Sequence, residues 1–205
     1  AEQALFYLPQ DLPEPGDPGH TAKVVELAEQ LIKISRGRVF LLFTSFRALN
    51  EASSLLQGRL DYPLLVQGEA PRHELLQQFR QAGNAVLLGT GSFWEGVDVK
   101  GDALSVVIID KLPFAAPDDP VLQARSSALR SAGLNPFMTL QLPQAVVALR
   151  QGAGRLIRSV DDRGVFILCD TRLVSKSYGK IFTRSLPPMK RTRDFPEVIA
   201  FLETN

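Results

Sequence analysis

Short, unbroken apolar runs alternate with longer stretches of helical period along most of the chain. Residues 39–43 (VFLLF), 85–88 (AVLL), 104–110 (LSVVIID) and 165–169 (VFILC) predict strands buried on both faces, and 5–8 and 64–66 add two shorter apolar pieces. Between them, Val24, Val25, Ala28, Leu31 and Ile32 recur at helical spacing and predict a helix over 21–35, closed by Arg36-Gly37. Two more helices are predicted over 46–57, capped by the hydroxyls of Thr44-Ser45, and over 71–81, opened by Pro71. Alternating helices and doubly buried strands imply an α/β fold of three layers, a mainly parallel sheet covered on both faces. In such folds ligands gather at the carboxyl ends of the strands.

The rest of the pattern is less regular. Residues 9–19 are rich in proline and glycine and read as a connector. Residues 112–143 contain Pro113, Pro117, Pro120, Pro136 and Pro143 around a helical piece at 121–132, too long for a plain connection and read as an insertion that shapes a binding surface. After Ser175 come a helix at 178–184, a basic cluster (Lys190, Arg191, Arg193) read as a solvated tail, and a last helix at 195–202. The expected organisation is a strand and connector at 1–19, a central unit at 20–187 and a basic tail with a helix at 188–205.

Residues 144–159 (QAVVALRQGAGRLIRS) combine helical period with chemistry. Val146, Leu149, Ala153 and Leu156 predict the core stripe, which sets Gln151, Gly154, Arg155 and Arg158 together on the other side. Two interior glycines, Gly152 and Gly154, would each cost about 1 kcal/mol relative to alanine. They make sense if something bulky approaches the backbone beside two guanidinium groups, whose forked donors suit phosphate oxygens. The competing reading is that Arg155 and Arg158 complement the helix dipole on a solvated face.

A second stretch, 89–101 (GTGSFWEGVDVKG), follows a predicted strand directly. Its glycines permit a sharp turn, Thr90 and Ser92 offer hydroxyls to a phosphate, and Glu95 and Asp98 add carboxylates. As an isolated turn it reads more readily as ordinary capping. Trp94 stands where a dinucleotide fingerprint needs its third glycine, and it either stacks on a base or packs beneath the loop. The chain has no GxxxxGK[ST] phosphate loop, and no acidic magnesium-binding pattern is read at a strand end, since Asp118-Asp119 precedes a proline and Asp161-Asp162 sits in a turn. A chain so equipped assists nucleotide hydrolysis without performing it alone.

Composition narrows the partners. With 205 residues and 45% hydrophobic content the chain buries a full core, while a net charge of +1 confines any nucleic-acid contact to a local groove. One cysteine, Cys169, excludes an internal disulfide or a cysteine-ligated metal cluster and reads as a small core residue; His20 and His73 are isolated and read as surface or capping residues, so no metal site is expected. No run reaches membrane-spanning length and no signal peptide opens the chain, which suits a cytoplasmic protein, and Ala1 in place of an initiator Met suits a piece of something longer.

Together, QxxGRxxR (Gln151, Gly154, Arg155, Arg158), SFWEGVDVKG at 92–101, VFLLFTSF at 39–46 and DKLPF at 110–114 resemble, in order and spacing, the second RecA-like motor domain of superfamily 2 DNA helicases. Within them the chain is most similar to the XPD/DinG group, and to its YoaA branch, over about residues 1–190. The resemblance implies a RecA-like fold and a 5′–3′ ATP-dependent helicase of DNA repair or replication, with ATP and Mg2+ held mainly by a first motor domain of the same polypeptide. It implies that Arg155 and Arg158 act as arginine fingers positioned by Gln151, that Gly96, Asp98 and Gly154 line the nucleotide cleft with Glu95 linking it to the DNA, and that Thr44, Ser45, Thr90 and Ser92 contact phosphates of single-stranded or forked DNA. The family's iron–sulfur cluster would lie in the part not present, and the fragment would be monomeric and inactive by itself. Two other classes stay open beside it: a non-catalytic docking module of motor-like fold, and a free-standing phosphotransferase, which the missing phosphate loop disfavours.

Overall fold

The computed structural model describes residues 3–93, 104–154, 156 and 163–204. Seven strands form one sheet in the order β3-β4-β2-β5-β6-β1-β7: β1 (Ala4–Tyr7), β2 (Val39–Leu42), β3 (Leu64–Val66), β4 (Val86–Gly89), β5 (Val106–Ile109), β6 (Gly164–Leu168) and β7 (Lys190–Thr192). All six pairings are parallel, with β2 central between β4 (Val39 opposite Val86) and β5 (Val39 opposite Val106). Period-two alternation sorts each strand between two cores. Phe40 and Leu42 of β2 face a cluster with Leu75, Phe79, Leu149, Ala153 and Phe182, whereas Val39 and Leu41 face one with Val24, Leu31, Leu49, Leu56 and Val198.

The helices divide accordingly. α3 (Arg72–Ala82), α5 (Leu142–Ala153) and α7 (Gly179–Ser185) cover the first face, and α1 (His20–Ile34), α2 (Phe46–Leu56) and α8 (Phe195–Glu203) the second. α4 (Pro120–Ser131) and the one-turn α6 (Arg172–Ser175) lie in the connections. This is the three-layer, mainly parallel α/β architecture read from the sequence. β2 and β4 come within a residue of the predicted runs because a strand buried on both faces has no polar position to blur its ends.

The structure differs from the sequence reading in four places. The basic cluster is not a solvated tail: Lys190 and Arg191 belong to β7, which pairs with β1, and only Thr192 of that strand turns inward. β1 in turn lies between β6 and β7, so both ends of the chain are built into the sheet. α5 starts earlier than predicted, runs on from a π-helical turn (Phe137–Gln141) with Pro143 tolerated in its first turn, and stops at Ala153. Gly154 therefore caps the helix instead of lying inside it, where its amide donates to the Arg150 carbonyl at 2.9 Å. His20 is buried, 2% exposed, and not a surface residue.

Candidate functional site

Three strand ends next to one another in the sheet, those of β2, β4 and β5, open onto one cavity of about 240 Å³ lined by Phe43, Thr44, Gly91, Pro113, Phe114, Ala148 and Gln151. The residues come from four sequence segments. Phe43 and Thr44 follow β2, Gly91 follows β4, Pro113 and Phe114 follow β5, and Ala148 and Gln151 come from the last turns of α5. Four segments far apart in sequence thus meet at the carboxyl edge of a parallel sheet, where strand ends leave backbone groups unpaired and helices begin.

The segment after β4 turns sharply because of Gly89. A Cβ there would come within 2.8 Å of the Phe93 side chain, which is buried beneath the short 3-10 turn Gly91–Phe93. Thr90, next in line, is 7% exposed, and both its amide (2.6 Å) and its hydroxyl (3.1 Å) donate to the side-chain oxygen of Gln67. Its hydroxyl proton is committed inside the protein, so the expected donation from Thr90 to a phosphate is not offered by this geometry. Ser45 caps α2, its hydroxyl oxygen accepting from the Ala48 amide at 3.3 Å, as the sequence suggested. That bond uses only a lone pair, and the Ser45 hydroxyl proton can still be given elsewhere. Thr44 Oγ1 is buried and has no hydrogen-bond partner. Gln151 is half-buried on the cavity wall and Gly154 half-buried one turn on. Arg155, Arg158, Trp94, Glu95, Gly96 and Asp98, like the side chain of Ser92, lie outside the described residues.

Two aspartates hold the segment after β5: Asp110, which opens the DKLPF motif read from the sequence, and Asp170, which the sequence reading passed over. Asp110 and Asp170 stand directly beyond the apolar runs of β5 and β6. Asp110, 1% exposed, accepts the Thr44 amide on Oδ1 at 3.0 Å. Lys111 Nζ lies 3.5 Å from its Oδ2, close enough for an ion pair but too far for a good hydrogen bond, and Oδ2 is otherwise unpartnered. Burial pushes its carboxyl up to about 6 from an ordinary 3.8, against the pull of Lys111, His20 and the Thr44 amide. His20 reaches the same point from α1, with Nε2 2.9 Å from the Asp110 carbonyl oxygen and Nδ1 3.0 Å from the Pro13 carbonyl oxygen.

Asp170 accepts the Leu112 amide at 2.7 Å and grips the forked guanidinium of Arg172, Nε to Oδ1 at 3.0 Å and Nη2 to Oδ2 at 2.7 Å. The same guanidinium lies over the Phe114 ring at 5.5 Å, and Phe114 packs against Phe137, Tyr178 and Phe182. The cavity wall at Pro113 and Phe114 is therefore held by a partly buried ion pair and an aromatic cluster. Both oxygens of Asp170 are occupied by backbone amides and the Arg172 guanidinium, whereas Asp110 Oδ2 keeps only the Lys111 ammonium at 3.5 Å. The one sequence signal that could have found them was a single acidic residue closing each doubly buried strand.

The sequence model of one protein family, described as the helicase C-terminal domain, matches residues 28–189. Over 202 residues the chain is 48% identical to a protein named ATP-dependent DNA helicase YoaA from Escherichia coli (strain K12), covering 98% of this chain and 32% of that protein. It is 41% identical over 204 residues to a protein named ATP-dependent helicase DinG from Mycobacterium tuberculosis (strain ATCC 25618 / H37Rv), covering 98% of this chain and 31% of that one. The chain thus spans about a third of the length of these curated relatives. Among solved structures, S. tokodaii Xpd4 superposes with a TM-score of 0.68 at 16% identity over 94% of this chain and 39% of its own. The C-terminal domain of the DEAD-box protein Dbp5 superposes with a TM-score of 0.59 at 15% identity over 98% of this chain and 97% of its own. At such identities the likeness is one of fold. Among the described residues no helix is long and apolar enough to cross a membrane.

Proposed function

The chain belongs to the helicase C-terminal domain family, and from that premise we propose that it is the second motor domain of a cytoplasmic 5′–3′ ATP-dependent DNA helicase of repair or replication. The observation that carries the reading is the convergence of Thr44, Gly91 and Gln151 on one cavity at the carboxyl edge of the sheet. Its volume, about 240 Å³, falls below the roughly 300–1,000 Å³ of a complete ligand pocket. In this reading a second surface completes it.

In this reading ATP is the substrate, held with Mg2+ mainly by a first RecA-like domain of the same polypeptide. This chain closes over the γ-phosphate: Arg155 and Arg158 neutralise charge as the phosphoryl group leaves, Gln151 positions them, and Gly96, Asp98, Glu95 and Gly154 line the cleft. On the DNA side, Thr44, Ser45 and Ser92 donate to phosphates of a single strand or fork. Such contacts carry no base information, so binding is independent of sequence. Because ATP bridges the two domains only when they are closed, each hydrolysis reopens the gap and a strand gripped by both advances. The iron–sulfur cluster of the family is assigned to the first part of the polypeptide, since the single cysteine here, Cys169, is buried in the core.

The test joins this chain to a first motor domain taken from the Escherichia coli relative. Arg158→Ala is expected to lower ATP turnover about a thousandfold while the dissociation constant for oligothymidylate changes less than about twofold. Equal loss of both would remove the finger role. Tight DNA binding with no turnover in either form would point instead to a non-catalytic docking module.

A further inference from the structure

We propose that Asp110 is a positioning residue for nucleic-acid binding: its carboxylate, buried between strand ends, presets the Thr44–Ser45 turn that meets the phosphate backbone. The inference deepens the function proposed above and rests on its assignment of Thr44 and Ser45 to the DNA side.

The geometry begins with the register of β2 and β5, in which Leu42 stands opposite Ile109. One residue further, the Asp110 amide donates to the Leu42 carbonyl at 3.0 Å, and the Asp110 side chain crosses back to take the Thr44 amide at 3.0 Å. The carbonyl oxygen of Asp110 in turn lies 2.9 Å from His20 Nε2, which donates to it in the tautomer that carries the proton there, and the Pro13 carbonyl oxygen lies 3.0 Å from Nδ1. Asp110 is therefore fixed through its amide, its carbonyl and one carboxylate oxygen, from β2 on one side and α1 on the other. It cannot swing away from the turn it holds.

The turn itself is defined from its two ends. Asp110 fixes the amide of Thr44, and the Ser45 side chain caps α2 at Ala48. Between these anchors the Thr44 hydroxyl is buried and has no hydrogen-bond partner, while Thr44 itself lines the cavity shared with Gly91 and Gln151. A buried carboxylate is a costly way to hold one amide, and a backbone carbonyl or an apolar contact would be the ordinary solution in a sheet. Its place beside an unsatisfied hydroxyl at the proposed phosphate track gives it a purpose: the turn is rigid before the strand arrives, so less ordering is left for binding.

The experiment compares the 205-residue chain with its Asp110→Ala and Asp110→Asn variants. Affinity for fluorescein-labelled oligothymidylate is read by anisotropy well below each chain's thermal midpoint, and exchange of the Thr44 amide is read by NMR. Asp110→Ala is expected to weaken binding about tenfold and to speed Thr44 amide exchange by at least as much. Asp110→Asn keeps an oxygen in place to accept the amide and is expected to recover most of both, which general loosening of the fold would not do. Equal affinities of all three chains, or an Asn variant no better than the Ala variant, would overturn the inference alone. Failure of the unsubstituted chain to bind would overturn the proposed function and take this inference with it.

Discussion

Asp110 keeps its proton to about pH 6, because burial disfavours its charge more than Lys111, His20 and the Thr44 amide favour it. Since the folded-state value lies above the ordinary 3.8, the folded chain binds more protons than the unfolded chain between the two, and stability falls as pH rises through that window. The Asp110 contribution is fully present below the lower value, is lost as pH passes about 6, and amounts to about 3 kcal/mol if the whole shift is realised. Asp110→Asn removes the titrating charge and keeps the acceptor. Its stability relative to the parent is therefore expected to rise between about pH 4 and about pH 7.5, as read from urea unfolding at both. A constant difference would mean that Asp110 titrates at its ordinary value. His20 shows the limit of reading residues one at a time. Its partners are backbone carbonyls, one of them 90 positions away, and no side-chain pattern announces them.

At the scale of elements, the strands with two buried faces were legible because burial on both sides leaves an unbroken apolar signature. β7 was not, since it is a three-residue edge strand with two exposed basic residues, and its identity comes only from pairing with β1. The end of α5 was misjudged for a related reason: Leu156 continues the helical period and is buried, yet the helix has already closed at Gly154. Period reports which side chains face the core, not which backbone amides stay in the helix. α6 and the segment after β5 depend on one ion pair. Arg172→Ala would leave the Asp170 carboxylate buried with only backbone donors and strip the cation from the Phe114 ring. A loss of about 3 kcal/mol in thermal or urea unfolding is expected, with Arg172→Lys recovering only part because lysine cannot form the fork.

For the whole molecule, the three-layer sheet and the meeting of separated motifs at its carboxyl edge were both readable beforehand, because strand order and right-handed crossovers leave few alternatives. What the sequence did not announce is how the edge is held: two buried aspartates, a buried histidine and an aromatic cluster fix the wall against which the motifs are arranged. In the function proposed above, a site so braced is completed by a first motor domain. ATP turnover in the presence of oligothymidylate, measured for this chain alone, for a first motor domain alone and for the two together, tests that most directly. The account predicts turnover well above the sum of the parts only in the mixture; turnover by this chain alone, or a mixture no more active than its separate components, would contradict it.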